Sequence, residues 1–161
     1  MPASIWAAAA NAESNFVPVD DTDLAILTEL HHDARLANNV LAQRVGLAPS
    51  TCLGRVKALR TRGIIEGFEA RINEKLLGVT VNAMISVIVA AQARDRMLPA
   101  ARALAELPQV RDVFVLGGTP DLLIRVATSS IDELRTFVAS HLGSNRAFSS
   151  TQTNIIFEHL R

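Results

Sequence analysis

The sequence predicts an α+β protein in two parts, a helical first half and a second half that mixes strands with helices. Three observations predict it. Up to Gly63 the apolar residues recur every three or four positions, the period of a helix with one buried face. From Val81 they alternate, the period of a half-buried strand. Between the two periods, Ile64 to Ile72 reads as extended and is broken by Gly67, a hinge or a short strand between domains. The expected division is residues 1–18 as a flexible N-terminal extension, 19–63 as a helical domain, 64–78 as a hinge and 79–161 as the strand-rich domain.

Composition fits two small cores. Of the 161 residues 49% are apolar and 20% charged, which is globular and not disordered. Sixteen Lys+Arg balance sixteen Asp+Glu, so any affinity for nucleic acid must come from a local patch. The single cysteine, Cys52, excludes an intramolecular disulfide, a cysteine zinc cluster and a CxxC redox pair. That suits a reducing cytoplasm, the expected location. No run of eighteen apolar residues is present, so no membrane span is expected. Ala7 to Ala10 lack a preceding Lys or Arg and make a poor signal peptide.

The elements follow in order. Residues 1–18 show no sustained period and read as a tail, with Trp6 and Phe16 available to dock on the body or a partner. Asp20 is placed to cap the first helix, with Val19 stapling onto Leu24. Leu24, Leu27 and Leu30 form its buried face. His31-His32-Asp33 ends it. Adjacent histidines point about 100° apart, so they are no metal pair. A second helix runs from about Asn38 to Val45, and Gly46 takes the left-handed position that ends it. Ala37 and Ala48 cannot accept a cap hydrogen bond, and Asn38 is expected to take over the first cap. Leu47 pins the turn, and Pro49 opens the third helix. Cys52, Leu53, Val56 and Leu59 are its expected inner stripe, and Gly63 closes it.

Two short helices joined by a tight Gly-containing turn make a helix-turn-helix pattern, winged-helix-like with the extended segment behind it. From Ser50 to Arg62 the third helix carries Arg55, Lys57, Arg60 and Arg62 and no acid. A charge run alone is usually a solvated face. This one lies on the helix that the motif lays in a major groove, and double-stranded DNA is therefore the expected partner.

In the second half Val81, Ala83, Ile85, Val87 and Val89 alternate as a strand. Asn73 to Gly78 precedes it as a turn. Met97, Leu98, Ala101, Leu104 and Ala105 give a helix stopped by Pro108. Val110 to Leu116 and Leu122 to Ala127 are strands around the turn Gly117-Gly118-Thr119-Pro120-Asp121. Ser130 and Glu133 form a capping box that opens a helix with Ile131, Leu134, Phe137 and Val138 inward. Thr151 to Leu160 is the last strand. The order βαββαβ is the ferredoxin-like split unit. Its sheet has helices on one face, and a second copy of the chain is the simplest cover for the other.

Enzyme chemistry finds no support. No GxSxG, Walker loop, HExxH or dinucleotide fingerprint is present. Cys52 sits on an apolar stripe, the place of a buried structural thiol. His141 and His159 are single and far apart in sequence. No catalytic residue, metal site or cofactor is expected.

These motifs together resemble one family. The block VDDTDLAIL, the stretch LAQRVGLAPSTCLGRVKALRTRGII, the hinge EGFEARIN, LPQVRDVFVLGGTPDLLIRV and the closing TQTNIIFEHL are similar, in order and spacing, to the Lrp/AsnC (leucine-responsive/asparagine, or feast/famine) family of prokaryotic transcriptional regulators. The resemblance implies an N-terminal DNA reader and a C-terminal domain that dimerises, assembles further into octamers, and binds amino acids or related metabolites between dimers.

On that reading Ser50, Thr51, Gly54 and Arg55 face the groove, where an Arg guanidinium can read guanine bidentately. Lys57, Arg60, Arg62 and Arg44 contact phosphates, which position without specifying. The effector is a free amino acid. The resemblance suggests that backbone N–H groups of Gly117, Gly118 and Thr119 meet its carboxylate and that Asp121 meets its ammonium. Thr119 stands where the family usually has an acid, which predicts weaker or differently selective binding. Thr151 and Thr153 either line the same cleft or simply favour a strand. The alternative function is a small-molecule-binding protein whose helix-turn-helix no longer reads DNA.

Overall fold

The computed structural model describes residues 18–159. The expected extension, apart from Pro18, and the expected end of the last strand at Leu160 lie outside the described residues. The chain divides into two compact units after Arg71.

The first unit is three helices, α1 (Asp21–His32), α2 (Asn38–Arg44) and α3 (Pro49–Thr61). Asp20 caps α1, its carboxylate accepting the Asp23 N–H at 2.7 Å. Gly46 and Gly63 end α2 and α3 with φ of 69° and 73°, a region that other residues rarely enter. Ile26, Leu41, Ala42, Cys52 and Leu59 form the buried centre, ringed by Val19, Leu27, Leu36, Val45, Leu47, Val56, Ile64 and Ile65.

Three expectations are corrected here. Ile26, not Leu24, is the fully buried residue of α1. Leu53 leaves the inner stripe and is 43% exposed. Asn38 does not cap α2. It is already the first helical residue, so its side chain reaches across and donates to the Pro49 carbonyl at 2.8 Å, tying the start of α2 to the start of α3. Residues 66–73 carry no regular secondary structure, so the hinge forms no strand. A 3-10 turn, Glu74–Leu77, follows and ends at Gly78.

The second unit is one antiparallel sheet with helices on one side. Its strands are β1 (Val81–Val89), β2 (Val110–Val115), β3 (Leu122–Thr128) and β4 (Phe148–Ile156), in the spatial order β2-β3-β1-β4. A 3-10 turn (Ala91–Arg96) leads into α4 (Met97–Ala105). Helix α5 (Ile131–Phe137) continues into a wider π turn, Val138–Gly143, that the apolar period did not signal. This is the βαββαβ arrangement of the sequence reading.

Register sorts the residues by face. Ala83, Ile85 and Val87 pair with Val126, Ile124 and Leu122. All six are buried, and with Ala101, Leu104, Leu134, Phe137 and Leu142 of the helical segments they form the core. The alternate residues form a second face that no described helix of this unit covers: Met84, Ser86 and Ile88 of β1, Leu123 and Arg125 of β3, Phe114 of β2, and Gln152 and Asn154 of β4.

Smaller corrections apply. Strand β4 starts and ends earlier than expected, because Phe148 pairs with Val89 across a register shift. Ile131 is exposed, not inward. Ser130 caps α5 as expected, but Glu133 returns its bonds to the Ser129 N–H and hydroxyl, not to the Ser130 N–H. Those two donors, the N–H first, and then Gln109 hold the Glu133 carboxyl below its ordinary range.

Candidate nucleic-acid interface and hairpin turn

Helix α3 has two sides. Successive residues turn by about 100°, so Cys52 and Leu59 share one side, with Arg55 and Val56 beside them. Cys52 is fully buried, and burial pushes its thiol pKa up. The opposite arc carries Ser50, Leu53, Gly54, Lys57 and Thr61, all exposed. Thr51, Ala58 and Arg62 flank it on one side and Arg60 on the other. No acid interrupts the helix. The Arg60 guanidinium lies 5.9 Å from the centre of the Phe68 ring, which orients it by a cation–π contact.

Arg55 departs from its expected place. Its Nη1 lies 2.7 Å from Oδ2 of Asp20 and 2.8 Å from Oδ1 of Asp23. The guanidinium thus faces the start of α1 and not the open arc. The cause lies in α1: Asp23, Ile26, Leu27 and Leu30 fall at helical spacing on one stripe, so the stripe begins with a carboxylate. Asp23 is only 6% exposed, and burial at that depth calls for a cationic partner. The Asp23 N–H, and then Arg55, hold the Asp20 carboxyl below its ordinary range. Hydrogen bonds to Asp23 and then Asp20 raise the Arg55 pKa further. Arg62 joins the cluster, 3.6 Å from Asp23 and donating to the Pro18 carbonyl. Arg44 pairs with Glu29 at 2.7 Å. Among the described residues, Lys57 and Arg60 are the candidate phosphate contacts on the helix that pair with no acid. The inward aspartate in an apolar stripe was the signal that could have revealed the cluster.

The hairpin between β2 and β3 is closed by the Leu116 N–H on the Asp121 carbonyl, at 2.8 Å. Gly117, Gly118 and Thr119 are exposed, and added Cβ atoms at the two glycines would meet nothing within 4 Å. Asp121 is different. It is 6% exposed, and Oδ2 accepts the Val89 N–H at 2.8 Å. The β1–β3 ladder stops at Val87 and Leu122, so the next N–H on that side has no strand to meet and takes this carboxylate. Arg94 stands 3.3 Å from Oδ1. Both oxygens of Asp121, the residue expected to meet an effector ammonium, thus have partners within the chain. Arg94, which the sequence reading passed over, is the exposed charge beside the turn.

Thr151 and Thr153 do not adjoin the turn. Thr151 pairs with Val87 and Thr153 with Ile85 on β4, so β1 lies between them and β3. Two strand spacings are about 10 Å. Among the described residues no group of three or more His, Cys, Asp or Glu is placed to hold a metal ion, and no helix is long and apolar enough to cross a membrane.

Comparison with known proteins covers both units. Residues 19–66 match winged helix-turn-helix DNA-binding domains, and residues 82–161 match the Lrp/AsnC ligand binding domain. The chain is 43% identical over 143 residues to the HTH-type transcriptional regulator AldR of Mycolicibacterium smegmatis, covering 89% of this chain and 84% of that one. It is 40% identical over 154 residues to AldR of Mycobacterium tuberculosis, covering 96% and 86%. A crystal structure of the M. tuberculosis AldR superposes with a TM-score of 0.77, over 89% of this chain and 97% of that one. A transcriptional regulator of Neisseria meningitidis, solved as an L-Met complex, superposes with a TM-score of 0.78 at 29% identity, over 89% and 92%.

Proposed function

The chain belongs to the Lrp/AsnC family of effector-responsive, DNA-binding transcriptional regulators, and from that premise we propose how its residues divide the work. The open arc of α3 enters the major groove, with Ser50, Thr51 and Gly54 against base edges. Lys57 and Arg60 contact phosphates, and Arg62 and Arg44 join them by exchanging a carboxylate for a phosphate. Arg55 supports the helix from behind. The observation that carries this reading is the acid-free exposed arc of α3, opposite the buried Cys52 and Leu59.

Two chains pair through the uncovered sheet face, and pairs associate further. A dimer sets the spacing of two half-sites. The effector is a free amino acid, the class of ligand named for the Neisseria relative. It meets the exposed turn Gly117–Thr119, where Arg94 and the backbone N–H groups suit its carboxylate. The protein works in the cytoplasm, where its DNA lies, and needs no cofactor or catalytic residue.

A gel shift on the DNA upstream of its own gene tests the reading, repeated with each of the twenty amino acids. A retarded band whose strength or mobility changes with one amino acid is expected. The second reading, a helix-turn-helix that no longer reads DNA, draws on Arg44, Arg55 and Arg62 being neutralised within the chain. It requires that no specific band forms. Calorimetry of the Arg94→Ala variant locates the effector. Binding weakened at least tenfold fits the turn, and unchanged binding moves the effector elsewhere.

A further inference from the structure

We infer that Leu53 reads DNA sequence, by seating its side chain against the 5-methyl group of a thymine. The inference rests on α3 entering a major groove. Leu53 is 43% exposed, whereas Leu59, the other leucine of the helix, is fully buried. It borders the open arc, with Ser50 one turn before it and Lys57 one turn after. Beside it, Gly54 has no side chain, and an added Cβ there would meet nothing within 4 Å. The helix backbone can therefore approach a base edge closely at this point. Arg55, the residue otherwise suited to base reading, is held by Asp20 and Asp23.

What the arc offers a base is thus a hydroxyl, a gap and an apolar side chain, with one ammonium to fix the register on phosphate. In the major groove the only apolar group that distinguishes a base is the thymine methyl. A leucine beside a gap matches it, whereas a guanine edge would need the donor that Arg55 spends on carboxylates. The contact supplies discrimination, and Lys57 and Arg60 supply most of the affinity.

The test uses the whole chain and duplexes it selects from a random library. Each thymine of a selected duplex is replaced in turn by deoxyuridine, which removes only the methyl group. One position per half-site should lose about fourfold in affinity, the worth of one buried carbon. Selection is repeated with Leu53→Ala, after its thermal unfolding is shown to match the parent. Thymine preference at that position should vanish and the remaining preferences persist. Indifference of the parent to uracil at every position overturns the inference while leaving DNA reading intact. So does a Leu53→Ala variant that keeps its uracil sensitivity, or one that folds but selects no sequence. A parent that enriches no duplex overturns the DNA reading itself, and this inference with it.

Discussion

At the scale of single residues, Asp23 decides what the basic helix can do. It is nearly buried and bonded to Arg55, so Asp23→Asn should cost about 1.5–3 kcal/mol, the worth of a hydrogen bond to a charged group. Urea unfolding checks this, with exposed Asp21→Asn as a control expected to change little. Asp20 adds a pH dependence. Its carboxyl is held below the ordinary value of 3.8, so as pH falls the unfolded chain takes up this proton before the folded chain does. The contribution is complete above that ordinary value and is lost as pH falls through the lower folded one. Glu133 acts in the same direction in the second unit. Stability should therefore decline between about pH 5 and pH 2. The decline should be shallower in Asp20→Asn, which keeps a cap but carries no titrating group. Urea midpoints across that range report it, and parallel curves for parent and variant would contradict the assignment.

At the scale of elements, α3 is built for presentation at the expense of its own stability. Ala48 offers it no side-chain cap, and Gly54 lies in its interior. Ala48→Ser should add about 1 kcal/mol. Gly54→Ala should add about 0.5–1 kcal/mol, since nothing stands within 4 Å of the new methyl group. If thermal unfolding shows both changes neutral or harmful, the local account of α3 is wrong. Elements of this kind were legible in the sequence because periodicity, caps and Gly or Pro stops are local signals. Asp20, Gly46, Pro49, Gly63 and Ser130 all do what their types suggest. What the sequence hid was long-range. Nothing near Arg55 in the chain points to acids more than thirty residues earlier. Asp121 reads as an exposed turn residue until the end of the β1–β3 ladder shows an N–H that needs it. Leu53 directly follows the buried Cys52 and so points about 100° away from it, and Ile131 stays exposed at the start of α5.

At the scale of the whole molecule, the second unit's sheet leaves Met84, Ile88, Leu123 and Phe114 on a face that its own helices do not cover. Two such faces meeting would remove this apolar area from water, at roughly 25 cal/mol per Å² before association costs. Phe114→Glu should therefore weaken self-association of the full chain at least tenfold, read by sedimentation at micromolar concentration. An unchanged dimer would place the contact elsewhere. Helix α3 is the proposed carrier of the DNA contact. The most direct measurement is the salt dependence of affinity, by fluorescence anisotropy on the upstream duplex, for the parent and for the double variant Lys57→Ala/Arg60→Ala. Each phosphate contact adds about 0.9 to the slope of log affinity against log salt. If a dimer binds, the variant should lose about four contacts, two per chain, and its slope should fall by about 3.6. An unchanged slope, or no binding of the duplex by the parent at low salt, would contradict the account.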